Sequence, residues 1–192
     1  AGFAQGFEVA ETLNENWNAS GSGPRLSQRA LEFVREHRDA RFMMYLHFLD
    51  PHGPYHPPEA FYTRFADTRF PEPVSLYREV RRRCDEMVAE GFGPGEARFE
   101  DMVLRYDAEI AHVDSAVERL FHGLHEAGVL DHTIVVITSD HGEEFLEHGF
   151  VEHAWTLYDE VLRVPLILWT PGVTPARIET RVTLADLPST LL

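Results

Sequence analysis

Lysine is absent from this sequence: all 17 basic residues are arginine, set against 32 acidic ones for a formal net charge of −15. No lysine here can clamp a substrate anion or form a Schiff base. A chain this acidic repels polyanions, whose binding rests on Lys and Arg, so nucleic acid and anionic membrane surfaces are excluded as partners. Cysteine is nearly absent too. The single Cys84 permits no internal disulfide. In Arg81-Arg82-Arg83-Cys84-Asp85-Glu86 it reads as a helical cysteine rather than a nucleophile, beside three arginines on a solvated helix face. No apolar run approaches the roughly 18 residues of a membrane span. A glycine-rich phosphate loop of the nucleotide-binding kind is missing. The start, Ala1-Gly2-Phe3-Ala4-Gln5, has neither an initiator Met nor the charged head and apolar core of a signal peptide, and reads as a fragment or a processed form. Compartment and oligomeric state stay open.

What is present suits one domain or most of one: 192 residues, 44% of them hydrophobic. Residues 1–24 are polar and broken, with a linker-like Ser20-Gly21-Ser22-Gly23-Pro24 and a weak glycosylation sequon at Asn18. The spacing of Leu26, Ala30, Leu31 and Val34 predicts an amphipathic helix from Leu26 to about His37. Phe42 to Phe48 reads as a buried strand, with Met43-Met44 filling core and His47 either a core histidine or a support for the site. It runs into Asp50-Pro51-His52-Gly53-Pro54-Tyr55-His56-Pro57-Pro58, where four prolines stiffen the backbone.

Helical segments follow over 59–95, the best from Val74 to Ala89. Val103, Tyr106, Ile110, Val113, Val117, Leu120 and Leu124 mark the clearest helix, stopped by Gly128. Thr133 to Thr138 is a β-branched run of the kind buried in parallel sheets, Val164 to Trp169 a third strand, and Ile178 to Val182 a fourth, before a short helix from Leu184. The expected architecture is α/β, a mostly parallel sheet sandwiched by helices.

Two strand ends carry the chemistry. One reaches Asp50-Pro51-His52 and the other Ser139-Asp140-His141-Gly142-Glu143, and open α/β sheets bind ligands at the carboxyl ends of their strands. A carboxylate beside an imidazole is a metal-ligand signature for a range of divalent ions. Glu144, Glu147, His148, Glu152 and His153 follow in one loop. Ser139-Asp140-His141 is no serine triad, since three consecutive residues rarely make the required hydrogen-bond chain. His148 and His153 are five apart across Gly149, so they do not share a helical face as zinc-peptidase ligands do. His56 and His148 read as structural.

These blocks resemble the sulfatase branch of the alkaline phosphatase superfamily. Thr138-Ser139-Asp140-His141-Gly142-Glu143 is similar to its second metal motif, and Asp50-Pro51-His52-Gly53-Pro54-Tyr55 to its substrate-histidine loop. Tyr106-Asp107-Ala108-Glu109-Ile110 through Asp114, and Leu157-Tyr158-Asp159-Glu160 with Arg163-Val164-Pro165-Leu166-Ile167, match the flanking segments in family order. The resemblance implies hydrolysis of sulfuric esters. Asp140 and His141 would be metal ligands, His52 the leaving-group histidine, and the cofactor one divalent cation, calcium favoured over manganese, zinc or magnesium. His153 falls about one residue from a family lysine, and is open between a substrate contact and a surface residue.

The family's first metal strand and its Cys-x-Pro-x-Arg nucleophile motif, the source of formylglycine, are absent from these residues. Residues 1–192 are therefore expected to be a partial catalytic domain, inactive alone, that acts on a small anionic ester. The alternatives are a phosphodiesterase, phosphonate hydrolase or phosphoethanolamine-type transferase of the same superfamily, or an inactive sulfatase-like binding protein.

Overall fold

The computed structural model describes residues 4–13, 22–66 and 80–192, without side chains for 80–83. Asn18 and Val74, and the side chains of Arg81 to Arg83, lie outside the described residues. Helix α1 spans Ser22–His37, starting earlier than expected because Ser22, Gly23 and Pro24 form its first turn rather than a linker. Proline is tolerated there, where its missing N–H has no partner to lose. Gly23 also permits close contact: a Cβ on it would lie 3.3 Å from the Cβ of Ala116.

Helix α4, Ala97–Glu126, is the spine of the fold. Glu96 caps its start by accepting from the amides of Arg98 and Phe99, and Gly128 ends it at a φ of 71°. Helix α1 lies along its C-terminal half. Ser27 Oγ donates to the Ala116 carbonyl at 2.9 Å, and Ala30 and Val34 meet Leu120, Leu124 and Val129 in one apolar cluster. A second cluster, at the other end of α4, joins Phe99 and Met102 to Tyr55, Cys84, Phe92 and Val151. Cys84 comes from α3, Val80–Ala89, and burial raises its thiol pKa, which keeps it protonated. Helix α2, Glu59–Tyr62, packs on α4 as well.

The buried face of α4 is turned from the expected stripe. Ile110 is 42% exposed, while Asp101, Arg105, Glu109 and His112 are buried. Hydrophobic periodicity counts apolar residues only, so it overlooked an inward face that is partly ionic.

The strands also depart from expectation. Strand β1, Val135–Thr138, pairs antiparallel with β4, Leu166–Trp169, and β2, Glu144–Phe145, pairs antiparallel with β3, Val151–Glu152. Every pairing among the described residues is thus antiparallel, where a mostly parallel sheet was expected. The reason is the connection between β1 and β4. It folds through the β2–β3 hairpin and α5, Asp159–Leu162, and returns to the end of β1 that it left. No pairing among the described residues involves 42–48, an extended segment whose Phe42, Met44 and Leu46 pack on the α1–α4 cluster while Met43, Tyr45 and His47 face outward. Met43 is 77% exposed, not core, and His47 lies on the surface within 3.2 Å of the Tyr45 hydroxyl. Residues 178–182 form no strand, and α6, Leu187–Leu191, follows a short 3-10 turn at Leu184–Asp186. No helix among the described residues is long and apolar enough to cross a membrane.

Candidate active site

The turn after β1 is held from both sides. Thr138 Oγ1 donates to the Pro165 carbonyl at 2.8 Å, and Ser139 Oγ to the His141 carbonyl at 2.6 Å. The Gly142 amide donates to the Val161 carbonyl at 2.7 Å. Only glycine fits at 142, because a Cβ there would stand 2.0 Å from the backbone oxygen of Glu160. The turn is thereby pressed against α5 and presents Asp140 and His141 side by side.

Their chemistry fits a cation. His141 Nδ1 is 2.8 Å from the Gly142 carbonyl, which can only accept, so Nδ1 carries a proton and Nε2 is the ring nitrogen that could offer a lone pair to a cation. That nitrogen lies 3.7 Å from Asp140 Oδ1. A carboxylate oxygen and an imidazole nitrogen this near each other could both reach one divalent cation. No group of three or more His, Cys, Asp or Glu among the described residues is arranged to hold a metal ion, so the donor set found here is this pair.

His153 closes over His141. The two rings stack with centroids 3.8 Å apart, and the His52 ring meets His153 edge-on at 5.5 Å. Three histidines widely separated in sequence thus form one row. His52 repeats the arrangement of His141: its Nδ1 donates to the neighbouring Gly53 carbonyl at 2.8 Å, which leaves Nε2 available. Glu152, at φ 68°, and Ala154, at φ 77°, hold left-handed backbone on either side of His153. Such conformations cost side chains on the order of 1 kcal/mol and persist where surrounding contacts over-determine them.

A buried carboxylate that sequence reasoning left without a role organises the row. Glu143 Oε1 accepts from His153 Nδ1 at 2.9 Å and Glu143 Oε2 from the Tyr55 hydroxyl at 2.6 Å, with the Glu143 side chain only 5% exposed. The hydrogen bond to Glu143 raises the His153 pKa, against the opposing effect of burial. Burial, then the Glu143 charge, pushes the Tyr106 phenol up to about 12 and Tyr55 well above its ordinary value. Burial and the same charge lift Glu152 to about 7.

Glu144, next in the chain, does a different job. Its oxygens take the amides of His148 and Phe150 and the Thr156 hydroxyl, which ties the β2–β3 hairpin into shape. His148 leaves the row: it stacks on Tyr158 at 3.6 Å and approaches Glu160 at 3.2 Å. His56 enters through its backbone amide, which donates to Glu109 at 2.6 Å. Glu109 and Glu143 both lie in blocks whose order was legible. The missing signal was tertiary contact, although an acidic residue at core spacing between Met102 and Ala116 was a hint.

The sulfatase family model matches residues 5–192. The chain belongs to the sulfatase family. An arylsulfatase of Clostridium perfringens (strain 13 / Type A) is 27% identical over 149 residues, covering 74% of this chain and 31% of its own length. This sulfatase chain therefore spans about a third of that curated relative's length. BT4656, in complex with its substrate D-glucosamine-2-N,6-O-disulfate, has the same fold, with TM-score 0.59, 23% identity, and coverage of 78% of this chain and 43% of that one. The phosphonate monoester hydrolase SpPMH of Silicibacter pomeroyi shares it too, with TM-score 0.63, 21% identity, and coverage of 81% and 34%. These likenesses establish an alkaline phosphatase/sulfatase-type α/β fold.

Proposed function

We propose that this chain supplies the leaving-group half of a sulfuric ester hydrolase centre, within a longer protein that provides the nucleophile. The observation that carries the reading is the histidine row: His52, His153 and His141 in contact, with Asp140 beside the last. Asp140 and His141 would hold one divalent cation, calcium favoured. When bound, the cation offsets the negative charge of the sulfuryl group. His153, held toward its charged form by Glu143, binds an oxygen of the anionic ester. In its imidazolium form His52, with Nδ1 held by the Gly53 carbonyl, donates the Nε2 proton to the departing alcohol oxygen. The nucleophile, a formylglycine, comes from residues outside this chain, so the chain alone is inactive.

A second reading keeps the centre and changes the ester to a phosphonate or phosphate, in line with the shared fold of a phosphonate monoester hydrolase. Matched aryl sulfate and aryl phosphonate esters, assayed with the full-length protein, separate the two. We expect kcat/KM for the sulfate to be larger by about 100-fold or more. The reverse preference favours the second reading, and turnover of neither ester would leave only a binding protein.

A further inference from the structure

The inward face of α4 is polar where it meets the proline-rich loop. Asp101 takes the Tyr62 hydroxyl and Arg105 Nε, the latter at 2.6 Å. Arg105 Nη1 reaches the Tyr55 carbonyl at 3.5 Å. One turn on, Glu109 Oε1 accepts from the His56 amide at 2.6 Å and Oε2 from the His52 amide at 3.2 Å. Arg105 and Glu109 are both fully buried. Buried carboxylates are costly to maintain, so one that spends both oxygens on backbone amides of a single loop calls for a reason.

The loop itself supplies that reason. Of the nine residues 50–58, Pro51, Pro54, Pro57 and Pro58 carry no amide hydrogen, which leaves five N–H groups. Two of those five donate to Glu109. A segment so poor in donors pairs little with itself through its backbone, and these two amides are held by one carboxyl group. The two anchored amides belong to His52 and to the residue four positions on, so they bracket residues 53–55.

We propose that Glu109 is a positioning residue that fixes the backbone of His52, and with it the direction of the His52 ring, for proton donation to the leaving group. The inference rests on the leaving-group reading of His52. Its physical core is donor matching: each carboxyl oxygen of Glu109 can accept from an N–H group, with or without a proton on one of them, whereas a carboxamide presents one acceptor and one NH2. In Glu109→Gln the side chain keeps its volume, yet one backbone N–H faces another donor.

The test uses the full-length protein carrying Glu109→Gln, His52→Ala or both, with thermal unfolding to verify the folded state. Turnover is measured on aryl esters with good and poor leaving groups, and amide exchange on peptides covering 50–58. Glu109→Gln should lose about 10–100-fold in kcat on poor leaving groups and less than about 3-fold on activated ones. Exchange at 50–58 should rise at least about tenfold, and the double variant should be no worse than His52→Ala alone. A uniform loss across leaving groups, or unchanged exchange, overturns the positioning role. If His52→Ala itself loses equally on all esters, the leaving-group reading fails instead, and this is visible without reference to Glu109.

Discussion

Glu143 and His153 are joined side chain to side chain, Oε1 to Nδ1 at 2.9 Å, and the same carboxylate accepts from Tyr55 through its other oxygen. Lysine is the obvious cation for an anionic ester, and this chain has none. A histidine becomes a serviceable replacement when a buried carboxylate behind it favours the imidazolium.

Glu143→Gln should therefore weaken ester binding more than turnover. Gln can accept from Tyr55 or from His153 but not from both, so His153 loses its anionic partner. A charge-assisted hydrogen bond is worth about 1.5–3 kcal/mol, which corresponds to a KM rise of about 10–100-fold. Tyr55→Phe removes only the far hydrogen bond and should raise KM by less. Steady-state kinetics of both variants in the full-length protein check this, and equal KM values for wild type and Glu143→Gln would refute it.

Asp140→Asn and His141→Ala should each lower bound divalent metal and reduce activity by about 100-fold or more. Metal content by elemental analysis is read alongside the rate, and a chelator should have the same effect on the wild type. Full activity with full metal content in either variant would show that the pair is not a ligand set.

Gly142→Ala should destabilise the fold and misplace the turn, since its Cβ would lie 2.0 Å from the Glu160 carbonyl oxygen. That neighbour is backbone and cannot swing away. A loss of at least ~2 kcal/mol is expected in denaturant unfolding. A variant with unchanged stability would mean that the turn and α5 separate readily.

Glu109 makes stability depend on pH. Burial is the main cause lifting its pKa from an ordinary 4.5 to about 8, against the lowering effect of the His56 amide. Because the folded-state value is the higher one, the folded state keeps a proton that the unfolded chain gives up. The associated stability is full below about 4.5, declines as pH rises, and is gone once pH passes about 8. The slope approaches ~1.4 kcal/mol per pH unit. Unfolding curves across that window should flatten in Glu109→Gln, which does not titrate. Parallel curves for wild type and variant would contradict the assignment.

Much of the local structure was legible in the residue order. Gly128 stops α4, Leu26 to Val34 lie on α1, and Asp140 and His141 follow directly on β1. Other elements differ from the sequence expectation for identifiable reasons. Ser22-Gly23-Pro24 has the composition of a linker but serves as a close-packed helix start, because small residues fit against Ala116. The apolar run of β1 suggested burial on both faces, yet its observed partner is the antiparallel β4. Composition cannot tell a strand's partner or direction, since those depend on the path of the connection.

The sequence by itself determined the family, through motif blocks in order, and the adjacent pair Asp140-His141, whose neighbourhood is covalent. Only the tertiary structure brought His52 and His153 to that pair, placed Glu143 between His153 and Tyr55, and set Glu109 beneath the proline loop. The reason is that a buried carboxylate is defined by the donors it meets, and here those donors lie 10 residues away for His153, 88 for Tyr55, and 57 and 53 for His52 and His56. No local pattern encodes such meetings, whereas the packing of one loop on one long helix does.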